Sequence, residues 1–578
     1  MVQVMWMAVA ALVTFSVGYV GYSRYLARFV ELDDDRETPA HKYDDGQEYV
    51  PSKKPVLLGH HYSSIAGGAP IAGPITAAAA FGWLPAIIWI AVGNPIFGAV
   101  HDFMALSSSV RHEGKSIGYI IGQYVGERGK KMLLWFAYLT IILVIAAFAY
   151  LIGAVLDAFP SAATASIVYI ALAILFGVYL YQLDGPFLPG AVAFVAMVFG
   201  GVWVGLQYPL ALFETARLPA DTIVLFGSGG DFLPLASAAN PNFAGWVLMT
   251  VIYAFAASVL PVWVLLQPRD FLTSSLLYTG VGGMILAAIV GTVIGFAPVE
   301  LNIASAGIEG VEVSSLTTQI SAWNGFFHGS LGPLFPFLFV TIACGTISGF
   351  HSLVSSGTTA KQLDKETDAR LIGYGGMLGE GLLGVTFVGL VFVSFLLTST
   401  DTAMRLGRYM LEEIVGTPET GLEETVTNRY VNAGILSFFG YLLVASGTWS
   451  NIWPLFGGAN QALAALALLV ATVWLANWDD SKQLVSTGAP LVFMLLVTVI
   501  ALLWIGVLRN PSDILAGNYD STIGAVSLGL QSVIALVLVG LILGIVYYGF
   551  HSISDARDGI DRDAVVGSEG GPVEPSDD

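Results

Sequence analysis

The chain has 578 residues, of which 55% are hydrophobic and 11% are charged, and its formal net charge is −19. Soluble globular chains carry about 25% charged residues, and cores of ordinary size could not bury this much apolar surface. The composition therefore excludes an ordinary soluble protein and predicts a chain that lies within a lipid bilayer.

Apolar stretches of about 20 residues recur along the chain, and a helix of that length crosses the hydrocarbon core of a bilayer. Barrel strands would instead alternate over about ten residues. The runs therefore predict an all-α polytopic membrane protein. We predict about fourteen transmembrane helices, at residues 4–22, 59–80, 82–109, 132–157, 161–181, 188–207, 243–266, 276–298, 333–354, 373–397, 430–447, 456–476, 488–507 and 528–550.

These spans and the polar stretches between them divide the chain into seven segments. We predict an extra N-terminal transmembrane helix (1–22), a cytoplasmic loop (23–58), a first five-helix repeat (59–207), an external loop (208–242), a second five-helix repeat containing the external loop 299–332 (243–447), C-terminal helices (448–552) and an acidic disordered tail (553–578). The two external loops are long for connections within a bundle, so we expect them to form lids over an outer vestibule.

The basic residues predict the orientation of the chain. If Met1 lies outside, 16 of the 23 Lys and Arg residues fall in cytoplasmic loops, as the positive-inside rule requires. The first stretch has no basic n-region, so we expect a retained helix and not a cleaved signal peptide. We therefore predict a multi-pass protein of the cell (plasma or inner) membrane with both termini outside. The seven residues left outside are Arg217, Arg405, Arg408, Arg429, Lys482, Arg557 and Arg562.

The stretch 59–74 is apolar enough to enter the bilayer, yet it is rich in glycine and carries two prolines. Because glycine and proline are poor helix formers, we predict that the helix unwinds near Gly67–Pro70. Backbone exposed at membrane depth must lie inside the protein or beside a water-filled cavity. Gly67, Gly68 and Ala69 are therefore predicted to bind substrate.

A second interruption is predicted in the span 243–266, where Pro261 follows Ser258 and removes a backbone donor. The two interrupted spans lie five helices apart and would cross in opposite directions. This spacing predicts a five-plus-five inverted repeat in which paired discontinuous helices build a site at the bilayer midplane. Ser258 is accordingly predicted to join the substrate site, where a half-helix N-terminus would favour an anionic substrate.

Ionisable residues within spans are costly, so they are functional candidates by default. For the histidines, the alternative is a ring satisfied by backbone carbonyls, and for Asp102 a structural polar clamp. Glu380 stands alone among glycines and must be protonated, paired or facing water. The predicted proton-coupling residues are His60, His61, His101, Asp102, His351 and Glu380.

The run 344–359 is dense in hydroxyls and small residues, which allow close helix packing but are also the hard oxygen ligands of a cation site. Both readings stay open. The candidate cation-site residues are Ser355, Ser356, Thr358 and Thr359.

Several enzyme and cofactor signals are absent from the sequence. It contains no GxxxxGK[ST] phosphate-binding loop, which argues against an ATP-driven pump, and no HExxH metal motif. Cys344 is the single cysteine, so we expect neither a disulfide nor a thiolate metal cluster. We expect no cofactor and no bound metal, although the spacing of the buried histidines does not by itself exclude an intramembrane metalloenzyme.

Eleven short stretches between about residues 20 and 510 carry a resemblance to a known family: 28–34, 38–41, 59–61, 66–67, 73–74, 98–104, 348–351, 355–359, 368–370, 372–375 and 453–457. They resemble the carbon starvation proteins, the CstA-type transporters. The sequence departs from that pattern at His101, where family members often carry glutamine, and its N-terminus is one helix shorter.

The resemblance implies an inner-membrane carrier that takes up peptides or, in some members, pyruvate with protons during nutrient shortage. It also implies the LeuT-like fold of the amino acid–polyamine–cation superfamily. We therefore expect a secondary active transporter and not an enzyme. Its partners would be a small-molecule substrate, H⁺ (or Na⁺) and the lipid bilayer, with no nucleic acid. A channel and a nutrient sensor are the alternatives.

Overall fold

The computed structural model describes residues 3–46, 48–216, 218–228, 240–261, 264–303, 308–318, 320–386, 392–446, 449–476, 483–519 and 522–557. These residues are mostly helical, because an apolar chain in lipid must satisfy every backbone N–H and C=O internally. Up to residue 294 the helices are α1 (Val4–Val17), α2 (Ser23–Val30), α3 (Pro39–Lys42), α4 (Lys54–Ile65), α5 (Ala69–Phe81), α6 (Trp83–Ile88), α7 (Ala99–Arg111), α8 (Ile117–Val125), α9 (Glu127–Ala158), α10 (Pro160–Tyr181), α11 (Phe187–Gln207), α12 (Pro241–Val259) and α13 (Leu266–Ile294).

Wider π-helical turns occur in both halves, and two of them matter for the site: Trp89–Gly98, which leads into α7, and Ser355–Thr359. The remaining helices are α14 (Leu334–Thr341), α15 (Ala343–Thr346), α16 (Gly349–Val354), α17 (Gly376–Thr386), α18 (Phe392–Val415), α19 (Gly421–Thr427), α20 (Arg429–Ser446), α21 (Trp449–Ala476), α22 (Gln483–Leu503), α23 (Asn510–Ala516) and α24 (Thr522–Arg557).

Short strands occur only in the connections of the described chain. The described parts of the predicted external loops contain β1 (Leu210–Ala211) beside β2 (Ile223–Val224), the hairpin of β3 (Val299–Ile303) and β4 (Ile308–Val313), and β5 (Phe327–His328) beside β6 (Gly332–Pro333).

Ten helices of the described chain are long and apolar enough to cross a membrane, and the bent pair α4–α5 makes eleven. This confirms a multi-pass helical protein but not the count of fourteen. The predicted spans 333–354 and 373–397 fall on shorter helical pieces, and 430–447 coincides with α20. The first helix runs on to Val30, so the predicted loop 23–58 shrinks to 31–53. Of the predicted acidic tail, residues 558–578 lie outside the described residues.

Helices α9 and α21 form the centre of the bundle. Every residue of the most apolar part of α21 is buried, and α21 packs against α9, α22 and α24. A helix that is apolar on all sides is expected in the core of a large bundle.

The connections 31–53, 112–116 and 360–369 pack together at one end of the bundle, which we call the basic face. The Thr38 hydroxyl donates to the Leu363 carbonyl at 2.6 Å, and the Tyr43 hydroxyl to Glu113 at 2.7 Å. At the opposite face, Gln3 pairs with Thr317.

Helix α18 corrects the predicted topology. The Arg405 guanidinium donates to the Leu260 carbonyl at 2.9 Å, and the Ser116 hydroxyl donates to Glu413 at 2.9 Å, so α18 ends at the basic face. The chain therefore returns to that face between residues 376 and 415. Arg405, together with Arg408 and Arg429 further along, belongs to the basic face and not to the outer side as predicted.

The C-terminal helix also ends at the basic face, because the Ser552 hydroxyl donates to the Tyr124 carbonyl at 2.8 Å. Gln3 lies at the opposite face. The prediction that both termini share one side is therefore wrong. The extra pass made by α18, which the hydropathy pattern missed, changes the parity of every later crossing.

The predicted interruption near Gly67–Pro70 is confirmed. Helix α4 ends at Ile65, α5 begins at Ala69, and the two helix axes differ by 44°. The Gly67 N–H donates to the Ile65 carbonyl at 2.8 Å, which satisfies part of the freed backbone within the break.

The second interruption was predicted at the wrong place. Helix α12 ends at Val259 and α13 begins at Leu266, so Pro261 lies in a turn between two helices. The chain breaks instead across 342–348, where Cys344 is extended and Gly345 has φ +103°. The described residues contain six candidate spans between the two breaks, so the five-helix offset is wrong. The inverted repeat itself stays a prediction.

Candidate transport site

The two interrupted helices meet backbone to backbone. A Cβ placed on Gly73 would lie 2.4 Å from the Thr341 carbonyl oxygen, and one on Gly98 would lie 1.9 Å from the Thr346 carbonyl oxygen. Since real side chains essentially never approach so closely, glycine is required at both positions. These contacts hold α5 and the helix leading into α7 directly against the second break.

A buried hydrogen-bond network lies beside this junction, and we call it the Asp102 network. His61 Nε2 lies 3.0 Å from Asp102 Oδ2, and His61 Nδ1 lies 2.9 Å from the Thr359 hydroxyl. The Ser355 hydroxyl donates to the other Asp102 oxygen. A neutral His61 fits this arrangement if Nε2–H donates to Asp102 and Nδ1 accepts from Thr359. The network joins α4, α7 and the turn 355–359.

His101 is adjacent to Asp102 in sequence but makes different contacts. Its Nε2 lies 2.7 Å from the Ser348 carbonyl oxygen, and its Nδ1 faces the Gly98 carbonyl oxygen. Carbonyl oxygens only accept, so only the doubly protonated ring donates to both at once. The second break is thus fastened to α7 by a histidine whose protonated form has more hydrogen bonds than its neutral form.

The predicted residues His351 and Glu380 form a second buried pair. His351 Nδ1 lies 3.3 Å from Glu380 Oε2, and the Gly345 N–H donates to Glu380 Oε1 at 3.2 Å. Among the described residues, nothing hydrogen-bonds His351 Nε2. Glu380 does not face water: its Oε1 caps the second break, while its Oε2 lies beside His351 without a hydrogen-bond partner among the described residues, so the paired and the protonated alternatives both stay open.

The four predicted cation-site hydroxyls do not converge on one point. Ser355 and Thr359 belong to the Asp102 network, whereas Ser356 and Thr358 bond to carbonyls of their own helix, at 2.8 and 2.9 Å. In the described part of the chain, no group of three or more His, Cys, Asp or Glu residues is placed to hold a metal ion.

The predicted substrate-binding residues are also divided. Gly67, Gly68 and Ala69 are buried at the first break. Ser258 lies instead at the basic-face end of α12, where its hydroxyl donates to the Phe255 carbonyl and its own carbonyl accepts from Arg408. Grouping Ser258 with the first break followed from the misplaced second interruption.

A further buried network escaped the sequence analysis, and we call it the Arg269 network. The guanidinium of Arg269 lies 2.8 Å from Asp270 and also pairs with Asp401. Asp270 in turn lies 3.1 Å from His60 Nδ1. The predicted spans end at 266 and 397, which places Arg269, Asp270 and Asp401 in loops. A charged pair directly beside apolar sequence was the signal that could have revealed them.

The sequence profile of the family described as carbon starvation protein CstA matches residues 3–394 and 383–501. The chain belongs to this family. The match includes both interrupted helices and all members of the Asp102 network.

Several characterised relatives of this CstA-family chain are named transporters. "Peptide transporter CstA" of Helicobacter pylori strain J99 is 30% identical, with 86% of this chain and 81% of the relative covered. "Pyruvate/proton symporter BtsT" of Escherichia coli K12 is 29% identical over 87% and 81%. A solved Eremococcus coleocola manganese transporter covers 89% of this chain at 13% identity, but its TM-score of 0.29 is too low to assign a fold.

A cleft of about 440 Å³, including the space open to solvent, reaches into this CstA-family protein at the basic face. Of the predicted site residues, His60 and Thr358 line it; His60 is 8% exposed and belongs to the Arg269 network. The residues that line it are Glu48, His60, Leu266, Gln267, Gly357, Thr358, Lys361, Gln362, Arg405 and Tyr409.

Proposed function

We propose that this CstA-family protein is a proton-coupled secondary transporter for uptake of a small nutrient, either a pyruvate-like carboxylate or a short peptide, in the response to carbon starvation. Solute would pass by alternating access around the two interrupted helices, α4–α5 and α14–α16. We propose the five-plus-five, LeuT-like repeat for this core, and no enzymatic activity. The names of the relatives, a peptide transporter and a pyruvate/proton symporter, support both substrate classes.

The observation that carries the proposal is the buried pair of His61 and Asp102 at 3.0 Å. Both side chains have essentially no solvent exposure. Intramembrane ionisable residues are expensive and typically mark ion pathways. Because His61 is on the interrupted helix and Asp102 is on α7, gain or loss of a proton would change the force between two elements of the core.

The hydroxyl geometry favours protons over sodium. A sodium site needs several oxygen lone pairs directed at one point. Here Ser355 donates to Asp102, and the hydroxyls of Ser356 and Thr358 bond to their own helix. The remaining buried partners are histidines, a side-chain type that carries protons and is not among the oxygen ligands that sodium needs.

We propose that the basic face is cytoplasmic, with the N-terminus outside and the C-terminus inside the cell. Moving Arg405, Arg408 and Arg429 to the face that already carries Lys361 and Arg111 strengthens the positive-inside argument. Uptake would then run from the face of Gln3 toward the cleft at the basic face.

The proposal is tested by uptake of labelled pyruvate and of labelled di- and tripeptides into proteoliposomes, with pH and sodium gradients imposed separately. We expect accumulation of one substrate class driven by an inward proton gradient and abolished by a protonophore. Accumulation driven by a sodium gradient alone would show that the coupling ion is sodium and not the proton. Absence of saturable uptake for every substrate, in protein shown to be folded by size-exclusion chromatography, would contradict the transport function.

A further inference from the structure

The cleft at the basic face contains two buried side-chain nitrogens with no described partner, of which Arg405 Nε carries a hydrogen in every state and His60 Nε2 only when the ring is doubly protonated, because Nδ1–H faces Asp270. His60 and Arg405 are 8% and 6% exposed, and neither His60 Nε2 nor Arg405 Nε has a hydrogen-bond partner among the described residues. Of the other nitrogens, His60 Nδ1 faces Asp270, and Arg405 Nη2 donates to the Ala257 and Leu260 carbonyls. Buried donors without partners are costly unless a ligand or water meets them.

A carboxylate of the chain itself lies at the mouth of this cleft. Glu48 Oε2 is 2.8 Å from Lys361 Nζ, and both residues line the cleft. The Glu48 side chain is 42% exposed and comes from the connection 31–53, whereas Lys361 is 18% exposed. Lys361 also sits above the Tyr49 and Tyr409 rings, which hold its ammonium group in place.

The Glu48–Lys361 ion pair at the mouth and the unpartnered nitrogens inside the cleft differ in how much free energy a ligand would change. An exposed ion pair such as Glu48 with Lys361 contributes little to stability, so displacing the Glu48 side chain into water costs little. The Arg405 Nε–H, in contrast, gains a hydrogen bond only if an acceptor enters the cleft. A negatively charged acceptor would meet N–H donors of Lys361 and Arg405, and a doubly protonated His60 would add Nε2–H.

We propose that the cleft is a binding site for a small carboxylate, separate from the Asp102 network, and that Glu48 competes with the ligand for Lys361 at its mouth. A guanidinium and an ammonium group that line one cleft are suited to a carboxylate. That the transported substrate binds here just before its release into the cytoplasm rests on the proposed function. Binding of a carboxylate to the cleft does not depend on it.

The proposal predicts opposite effects for the two partners of one ion pair. Glu48→Gln removes the competitor while keeping the side-chain size, so the Kd for pyruvate falls several-fold. Lys361→Gln removes a charged donor, which weakens binding about tenfold, since a hydrogen bond to a charged group contributes roughly that factor. Arg405→Gln should weaken binding at least as much.

We would measure binding of labelled pyruvate to the purified full-length protein by equilibrium dialysis, with acetate, chloride and phosphate as competitors. Glu127→Gln and Lys130→Gln are matched controls, because these residues form an exposed pair at 3.3 Å on the same face; both should leave Kd unchanged. Competition by acetate but not by chloride or phosphate is expected.

Three results would overturn this site: an unchanged or raised Kd in Glu48→Gln, an unchanged Kd in Lys361→Gln, or equal competition by chloride. Lys361→Gln changes a partly exposed side chain, so its effect does not depend on the buried Arg405 variant folding. If binding behaves as expected while proteoliposomes show no transport, the proposed function fails and the site stands. If transport is coupled to protons but these variants bind alike, only the site fails.

Discussion

Two buried networks begin at neighbouring residues of α4 and differ in the kind of cation that holds them. His60 leads to the Arg269 network, in which a guanidinium lies between the carboxylates of Asp270 and Asp401. His61 leads to the Asp102 network, in which the partner of the carboxylate is an imidazole with hydroxyls around it. Arginine stays charged in proteins, whereas histidine changes charge near neutral pH.

We call the Arg269 network a clamp, because its central cation is permanent, and the Asp102 network a switch, because its central cation can lose its proton. In the Arg269 network the guanidinium keeps its charge throughout the physiological pH range, so its contacts with Asp270 and Asp401 tie α13 to α18 permanently. In the Asp102 network one proton decides whether the carboxylate faces a neutral or a cationic ring. Four measurements would break or sharpen this distinction.

The largest effect is expected for the switch. Asp102→Asn keeps the size of the side chain but removes the charge, so we expect gradient-driven uptake of the transported substrate to fall by at least about tenfold. Exchange of substrate across the membrane without a proton gradient should persist, because exchange needs no net proton movement. Both are measured in proteoliposomes.

Asp364→Asn is the matched control for this prediction, because Asp364 forms a 2.8 Å pair with His41 that is exposed at the basic face. It should transport normally. His101→Gln should also lose less than His61→Gln, since an amide NH₂ can still donate to the carbonyls that His101 meets. Proton-driven uptake at the normal rate in Asp102→Asn would remove this pair from the mechanism.

Removing the cation of the Arg269 network should lower the free energy of unfolding. Arg269→Gln leaves Asp401 buried without its cation, and breaking a buried ion pair by removing one partner costs about 3–5 kcal/mol. We expect a clear fall in melting temperature in detergent. Lys130→Gln, which breaks an exposed pair, should change stability by at most about 1 kcal/mol. Equal melting temperatures for the two variants would show that the Arg269 network is not a clamp.

A smaller effect is expected where the second break touches the helix that carries Asp102. Gly98→Ala places a methyl group against the Thr346 carbonyl, and such overpacking costs about 1–3 kcal/mol. Gly200→Ala on α11 is the control, because no atom lies within 4 Å of its new methyl group. Thermal unfolding that is the same for both alanine variants would contradict the close packing of this junction.

The smallest effect concerns His112, one residue beyond the span that carries Asp102. Burial lowers the pKa of His112 below its usual 6.5, and its ring bonds to the Ser108 carbonyl and the Tyr124 hydroxyl. The folded state therefore binds fewer protons than the unfolded state. Stability from this group is complete above about pH 6.5 and is lost as the pH falls from there toward the lowered pKa.

Melting curves of the wild type and of His112→Gln between pH 7.5 and 5.5 test this sign. The wild type should lose up to about 1.4 kcal/mol per pH unit more than the variant over the acidic part of that range. A steeper acid loss in His112→Gln would mean that His112 is protonated in the folded protein.

The two helix interruptions differ in whether local sequence predicts them. The first was predictable because Gly67, Gly68 and Pro70 weaken the helix locally. The second has no proline, and its break at Cys344 and Gly345 is stabilised by Glu380, a residue on another helix. Such a break depends on tertiary contacts that no local propensity records.

The same reasoning explains the topological error at α18. Asp401, Arg405 and Arg408 lower the hydropathy of that helix below the level expected of a membrane span. The structure shows how the helix accommodates them: Asp401 pairs with Arg269, and the arginines donate to the carbonyls that end α12. His61 and Asp102 are recognisable because both lie within predicted apolar spans, but their pairing is visible only in three dimensions.

The glycine contacts at Gly73 and Gly98 restrict how the protein can change shape. Where main chains touch without a layer of side chains between them, no rotamer adjustment can absorb sliding of one segment over the other. Helix α5 must therefore travel with α14, and the helix entering α7 with Thr346, as joined bodies. Any motion that opens the core has to be taken up at the unwound residues 66–68 and 342–345, which makes these short stretches the hinges of the molecule.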